Sequence, residues 1–201
     1  MRPYVTCHML SSVDGRVDVG RYSRHHEGWD FERSNAVYGE LAALLGGEAA
    51  AIGSTTAIEL LGGAEFTHTG PITSTTETHH APRKAEQLMV VFDSAGRTQY
   101  PTTEATGMDF LAVVGPHVSE RYLEHLRDAG VSCVFAGQDG RDIAAALQTL
   151  SEDFGVTRLT LMGGSTINGV FLRDGLLDEL SILLYPGGRT SERAGNHRCS
   201  R

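Results

Sequence analysis

Cysteine is scarce in this 201-residue chain: Cys7, Cys133 and Cys199 are odd in number and widely spaced, which excludes a disulfide framework. Cys7 and Cys133 lie in apolar, strand-like runs and read as reduced core residues rather than ligands or nucleophiles. No apolar run approaches the roughly 20 residues that a membrane-spanning helix needs. The opening Met1-Arg2-Pro3-Tyr4-Val5 has none of the apolar core of a signal peptide, so the expectation is a cytoplasmic protein without a membrane partner. Basic charge is lacking too: a net charge of −8 excludes a general affinity for nucleic acid, although a local basic pocket for a phosphorylated small molecule stays open. Hydrophobic content of 40% and charged content of 21% are those of a globular chain, of a length that suits one domain.

What is present is alternation. Short β-branched runs alternate with helical patterns, the signature of an α/β sheet. Strands are expected over 4–10, 49–53, 88–92, 110–114, 131–136, 157–162 and 180–185. Helices are expected over 31–45, from Ser54 or Thr55 onward, after a Ser119 cap, through the stripe Ile143, Leu147, Leu150 and Phe154, and over 163–174. Residues 62–86 are rich in Gly, Thr, His and Pro without periodicity, a long loop of the kind that serves function or moves. No internal repeat or dividing linker is visible, so residues 1–186 read as one domain.

Chemistry concentrates at strand ends. Leu159-Thr160-Leu161-Met162 runs into Gly163-Gly164-Ser165-Thr166-Ile167, a buried strand turning through paired glycines into a helix. Such a turn offers unpaired N–H groups and a positive dipole end to a pyrophosphate; an ordinary Gly-Gly turn with a hydroxyl cap is the other reading. Ala51-Ile52-Gly53-Ser54-Thr55-Thr56 repeats the same physics, and ligands of open α/β sheets collect at that edge. Asp93-Ser94 ends a third strand, either to meet a ribose or its phosphate or simply to form a turn ahead of Gly96. The G-x-G-x-x-G fingerprint is absent, which disfavours a Rossmann domain. His8 ends an apolar strand and is open to two readings, a proton donor or a satisfied core histidine. The pairs His25-His26 and His79-His80 lack ligand-spaced partners and read as solvated loop residues, so no metal is expected.

The order of these segments is specific. Strand, Ser12-Val13-Asp14-Gly15-Arg16, Gly53-Ser54-Thr55-Thr56, Asp93-Ser94, Gly163-Gly164-Ser165-Thr166, then Leu176-Leu177-Asp178-Glu179 resembles the reductase domain of the riboflavin-synthesis deaminase-reductases, from Arg2 to about Pro186. The resemblance implies a dihydrofolate-reductase-like three-layer α/β fold with a central mixed, mostly parallel sheet flanked by helices. It implies an NADPH-dependent reductase, a homodimer, that reduces a small carbonyl or imine substrate such as an aminopyrimidine ribose phosphate. By position, Ser11 and Trp29 would flank the nicotinamide and Asp14 would shape the loop over it. Gly53, Ser54, Thr55 and Thr56 would hold phosphate. Asp93 and Ser94 would lie near the adenosine ribose. Gly163, Gly164, Ser165, Thr166 and Ile167 would hold the pyrophosphate. Asp14 and His8 are the candidate catalytic residues.

Three departures bear on this. His8 stands where the family often has lysine or asparagine, Met162 where it has glutamate, and both positions face substrate. Family members continue past Pro186 with further strands, whereas residues 187–201 have no strand pattern and read as an irregular, disordered tail, with a basic arm as the other reading. A reductase-like protein that binds a nucleotide without turnover is therefore the alternative.

Overall fold

The computed structural model describes residues 1–17, 22, 31–73, 75–102 and 106–188. Seven strands run β1 (Tyr4–Ser12), β2 (Ala49–Gly53), β3 (Leu88–Phe92), β4 (Asp109–Val114), β5 (Ser132–Phe135), β6 (Arg158–Leu161) and β7 (Glu179–Tyr185). Five helices join them: α1 (Phe31–Leu44), α2 (Ser54–Leu60), α3 (Glu120–Ala129), α4 (Ile143–Phe154) and α5 (Ser165–Arg173). The order across the sheet is β5-β4-β3-β2-β6-β1-β7. Every pairing among these seven strands is parallel, as expected of a mostly parallel sheet, and the antiparallel contacts among the described residues are isolated bridges such as His79↔Cys133. All seven carboxyl ends therefore face one edge.

The strand sequences explain this sheet. Leu111 and Val113 pack on one side, with α4 and α5, while Phe110, Ala112 and Val114 pack on the other, with α2 and α3. A strand buried on both faces is apolar at every position rather than at alternate ones, which is what parallel, doubly covered sheets require. On the α2 side α1 lies over β1 and β7, where Leu10, Leu183 and Tyr185 meet Tyr38.

Ser119 caps α3 as expected, its hydroxyl accepting from the Tyr122 amide at 3.2 Å. The α4 stripe is buried at Ile143, Leu147 and Leu150, with Phe154 half-buried at its end. The aperiodic segment 62–86 is anchored along its length. Phe66 N donates to Arg97 O, Thr73 N to Val118 O, and His79 exchanges both backbone bonds with Cys133 at 2.9 Å. That last bridge covers the free edge of β5 and removes an exposed template for strand pairing. His79 is thus tied to the sheet edge through its backbone, and His80 stacks on Phe154 with ring centroids 4.6 Å apart. Burial pushes the Cys133 thiol up to about 12 and raises that of Cys7, so both stay protonated and inert at neutral pH. No helix among the described residues is long and apolar enough to cross a membrane.

Candidate functional site

Register sets the site. β2 and β6 pair as Ala49↔Leu159, Ala50↔Thr160 and Ala51↔Leu161, which sets Gly53, the last residue of β2, beside the turn that follows β6. The ladder continues past the strands: Met162 N donates to Ala51 O, and Gly53 N donates to Gly163 O, both at 2.8 Å. From these adjacent ends the chain departs in opposite directions, into α2 on one face and α5 on the other. A crevice opens where neighbouring connections diverge in this way. Gly163 has φ +96, and a Cβ there would stand 3.0 Å from Met9 Sδ, so both backbone conformation and packing demand glycine. The following Gly163–Gly164 peptide is cis.

The two helix starts differ from those of α3 and α4. α3 and α4 are capped by side chains, the Ser119 hydroxyl and the Asp142 carboxylate, which accept from Tyr122 N and Ala145 N. α2 and α5 have glycines at the cap, Gly53 and Gly164, with no side-chain cap bond. Their first-turn N–H groups are left for another acceptor, and the positive dipole end of each helix favours an anion. The bends also touch: a Cβ on Gly53 would lie 3.4 Å from Ile167 Cγ2, and one on Gly164 3.4 Å from Thr56 Oγ1.

Both bends line a cleft of about 610 Å³ along the carboxyl edge of the sheet. The structure brings Gly53, Ser54, Thr55, Thr56, Asp93, Ser94, Gly164, Ser165, Thr166 and Ile167 into its walls. Gly163 lies beneath it, buried against Met9. The Asp93 side chain is turned inward and is 1% exposed. Its Oδ2 accepts from Thr98 N at 2.7 Å and from the Tyr122 hydroxyl at 3.2 Å, so it builds the turn, and Ser94 is left as the exposed hydroxyl of the pair. Burial, followed by the nearby Tyr100 and the Asp93 carboxylate, raises the Tyr122 hydroxyl well above its ordinary value and keeps it a donor.

Three arginines and a glycine turn join the cleft without having been singled out in the sequence: Arg97, Arg141, Arg173 and Gly140. Arg97 follows Asp93-Ser94 by a few residues. Arg141 follows a strand end through Gly137-Gln138-Asp139-Gly140, a glycine-bearing turn of the same kind as the two that were read. That spacing was the available signal. Arg173 had none, since the last turn of any helix favours a basic residue.

Of the residues assigned to the nicotinamide side, Ser11 and Asp14 do not line this cleft. Ser11 donates its hydroxyl to Ser12 O at 3.1 Å. Asp14 sits in the turn after β1, accepting from the Ser12 hydroxyl at 2.5 Å and from Arg16 Nε at 3.2 Å. The Ser12 hydroxyl, with Arg16, holds its carboxyl below the ordinary range. His8 is 0% exposed. Its Nδ1 is 2.9 Å from Ser181 Oγ, its Nε2 is 3.1 Å from Tyr38 O, and its ring stacks on Tyr38 at 4.3 Å. This is the satisfied core histidine, and its ring has no free nitrogen to offer a substrate. Met162 is half-buried against the α2–α3 layer. Trp29, His25 and His26 and the tail 189–201 lie outside the described residues.

Comparison with known proteins agrees with this fold. The sequence profile of the RibD C-terminal domain matches residues 3–188. Among solved structures, RibD of Acinetobacter baumannii superposes with a TM-score of 0.55 at 19% identity, over 96% of this chain and 48% of that one. A pyrimidine reductase-like protein of Corynebacterium diphtheriae gives 0.58 at 14% identity, over 96% of this chain and 77% of that one. The riboflavin biosynthesis reductase Rib7 of Saccharomyces cerevisiae gives 0.51 at 16% identity, over 94% and 76%. At such identities the likeness is one of fold. The chain spans about half the length of the Acinetobacter protein. A search of curated proteins found no match.

Proposed function

The chain belongs to the RibD C-terminal domain family, and on that premise we propose that it is an NADPH-dependent reductase of the pyrimidine-reductase type. Its substrate would be a small carbonyl or imine compound such as an aminopyrimidine ribose phosphate. The observation that carries the proposal is the pair of uncapped helix starts, α2 after Gly53 and α5 after Gly164, side by side in one cleft.

The residues present fit a dinucleotide. The first turn of α5 offers N–H groups and the Ser165 and Thr166 hydroxyls to a pyrophosphate, and the Ser54, Thr55 and Thr56 segment meets it from across the β2–β6 junction. Ser94 and the three arginines supply hydroxyl and cationic partners along the wall toward β3 and β5. When bound, the nicotinamide supplies the hydride, and the protein's part is to hold and orient. The absence of a side-chain cap on α2 and α5 leaves their dipoles and amides directed at the ligand, so no protein carboxylate competes with its phosphates there. The inward turn of Asp93 serves the same end.

Titration with NADPH, followed by nicotinamide fluorescence, is expected to saturate; no response at high micromolar cofactor rejects the proposal. A panel of pyrimidine, pterin and sugar-phosphate substrates then separates turnover from binding alone.

A further inference from the structure

The connection that leaves β3 forms one wall of the cleft through Ser94, Ala95 and Arg97. Two histidines hold it, one at Gly96 and one at Tyr100. His68, in the segment 62–86, has its Nε2 2.8 Å from Gly96 O. His125, on α3, has its Nε2 2.9 Å from the Tyr100 amide, which donates to it. The two rings share an aromatic cluster. Phe66 stacks on His125 with centroids 5.1 Å apart and meets His68 edge-on at 5.4 Å, and Tyr122 lies 6.1 and 5.5 Å from them.

These partners fix where each ring carries its proton. A carbonyl oxygen only accepts, so His68 Nε2 is protonated, while its Nδ1 accepts from Ser119 N at 3.4 Å and lies 3.0 Å from Ser119 Oγ. A second proton on Nδ1 would find that hydroxyl oxygen as acceptor, at the cost only of the long contact from Ser119 N. His125 has no such latitude. An amide N–H only donates, so Nε2 must offer a lone pair and the ring proton sits on Nδ1. A protonated imidazole would set two N–H donors 2.9 Å apart, and Tyr100, which is 3% exposed, would keep a buried N–H without an acceptor.

We infer that His125 is a positioning residue for this wall of the cleft, a clasp that holds Tyr100 while its imidazole is neutral and releases the connection on acidification. The titratable groups around it are Tyr122 and Asp128 on its own helix, Tyr100 on the connection and His68 beyond Phe66, with Asp93 reached through the Tyr122 hydroxyl. Burial above all raises both tyrosine hydroxyls well above their ordinary value, so they stay uncharged. Burial, only partly offset by Asp128, lowers the His125 pKa from its ordinary 6.5. The unfolded chain therefore takes the proton first. Stability from the clasp is full above that ordinary value and is lost as pH falls below it through the folded value. The inference does not depend on which ligand the cleft takes.

Amide hydrogen exchange at Tyr100, corrected for the intrinsic effect of pH, tests the clasp in wild type, His125→Gln, His125→Phe and His68→Gln. Glutamine offers a carbonyl oxygen that accepts and does not titrate, whereas phenylalanine keeps the stack on Phe66 and accepts nothing. Wild-type protection at Tyr100 is expected to fall by about ten-fold or more between about pH 7.5 and about pH 5.5. The Thr98 amide, which Asp93 Oδ2 holds at 2.7 Å, should follow it. His125→Gln should stay protected across the range, His125→Phe should lack protection throughout, and His68→Gln should keep the wild-type profile. Wild-type protection that is independent of pH overturns the inference, as does a wild-type profile kept in His125→Gln or lost in His68→Gln. Release of Tyr100 while Thr98 stays protected confines the effect to one residue and overturns the positioning role. Imidazole nitrogen resonances of the wild type decide the matter without a variant: the Nδ1–H tautomer is expected for His125, and the Nε2–H tautomer excludes the clasp.

Discussion

The carboxyl edge of the sheet divides into two stretches that use their polar groups in opposite ways. At β1 and β7 the side chains satisfy one another: His8 with Ser181 and Tyr38, Ser12 with Asp14, and Asp14 with Arg16. At β2, β3, β5 and β6 the backbone turns carry glycines and hydroxyls, two helices start without side-chain caps, and Arg141 lines the cleft with no partner among the described residues. The contrast shows how to separate structural from functional polarity in one sheet. Groups that close their own hydrogen-bond account stabilise the fold, and groups left open at a concave edge await a ligand.

The largest effect should come from the open stretch. Gly164→Asp is expected to abolish NADPH binding, by a factor of about 100 or more in Kd, because a carboxylate would enter the space beside Thr56 and cap the helix that the phosphates need. Gly164 has φ −70, which any residue adopts, so the fold should survive, and circular dichroism with a cofactor titration checks both halves. Retained affinity would break the distinction drawn between the two stretches.

His8→Ala tests the closed stretch. The change removes a stacked, buried ring and leaves the Ser181 hydroxyl and the Tyr38 carbonyl without their partner, a loss of about 2–4 kcal/mol in urea unfolding. Cofactor affinity should stay within about two-fold of wild type, since a core residue acts on stability rather than on the ligand. Loss of turnover at undiminished stability would instead return His8 to the chemistry.

A smaller effect is expected at the opposite, amino end of the strands. Asp178 accepts from Arg2 at 2.6 and 2.8 Å and from Val5 N at 2.8 Å, and the Arg2 pair, chiefly through its hydrogen bond, holds the Asp178 carboxyl below its ordinary value of 3.8. A carboxyl depressed in the folded state contributes stability above its unfolded pKa, and that contribution is lost as pH falls through the folded value. Asp178→Asn should therefore cost about 1–2 kcal/mol at pH 7 and nothing once the wild-type carboxyl is protonated. Unfolding curves from pH 7 down to about 2 read this directly, and a difference independent of pH would contradict it.

How much of this was legible differs by element. β2 and β3 fall at their expected limits, because compact β-branched or small apolar runs bounded by turn residues leave little choice. β1 runs two residues past its expected end, since Ser11 and Ser12 look like loop residues until β7 pairs with them. The expectation of a mostly parallel sheet came with the family resemblance and with the alternation of strands and helices, since residue patterns alone carry no direction of pairing. Gly53 and Gly164 could be read as turns at the carboxyl edge of the sheet from glycine chemistry alone. For Arg141 the sequence offered only the glycine-bearing turn before it, and its approach to the turn at Ser94 depends on backbone contact between turns separated by tens of residues.

The amino-acid sequence by itself settled the alternation of strands and helices, the glycine-led turns and the family to which their order belongs, all of which follow from local periodicity and backbone freedom. Strand order and register were decided only in three dimensions. They brought the turns near residues 54 and 164 against one another, turned the Asp93 carboxylate inward and buried both nitrogens of His8 among partners. Whether a polar side chain is spent on the fold or left for a ligand depends on which neighbours the packing supplies, and those neighbours lie far away along the chain.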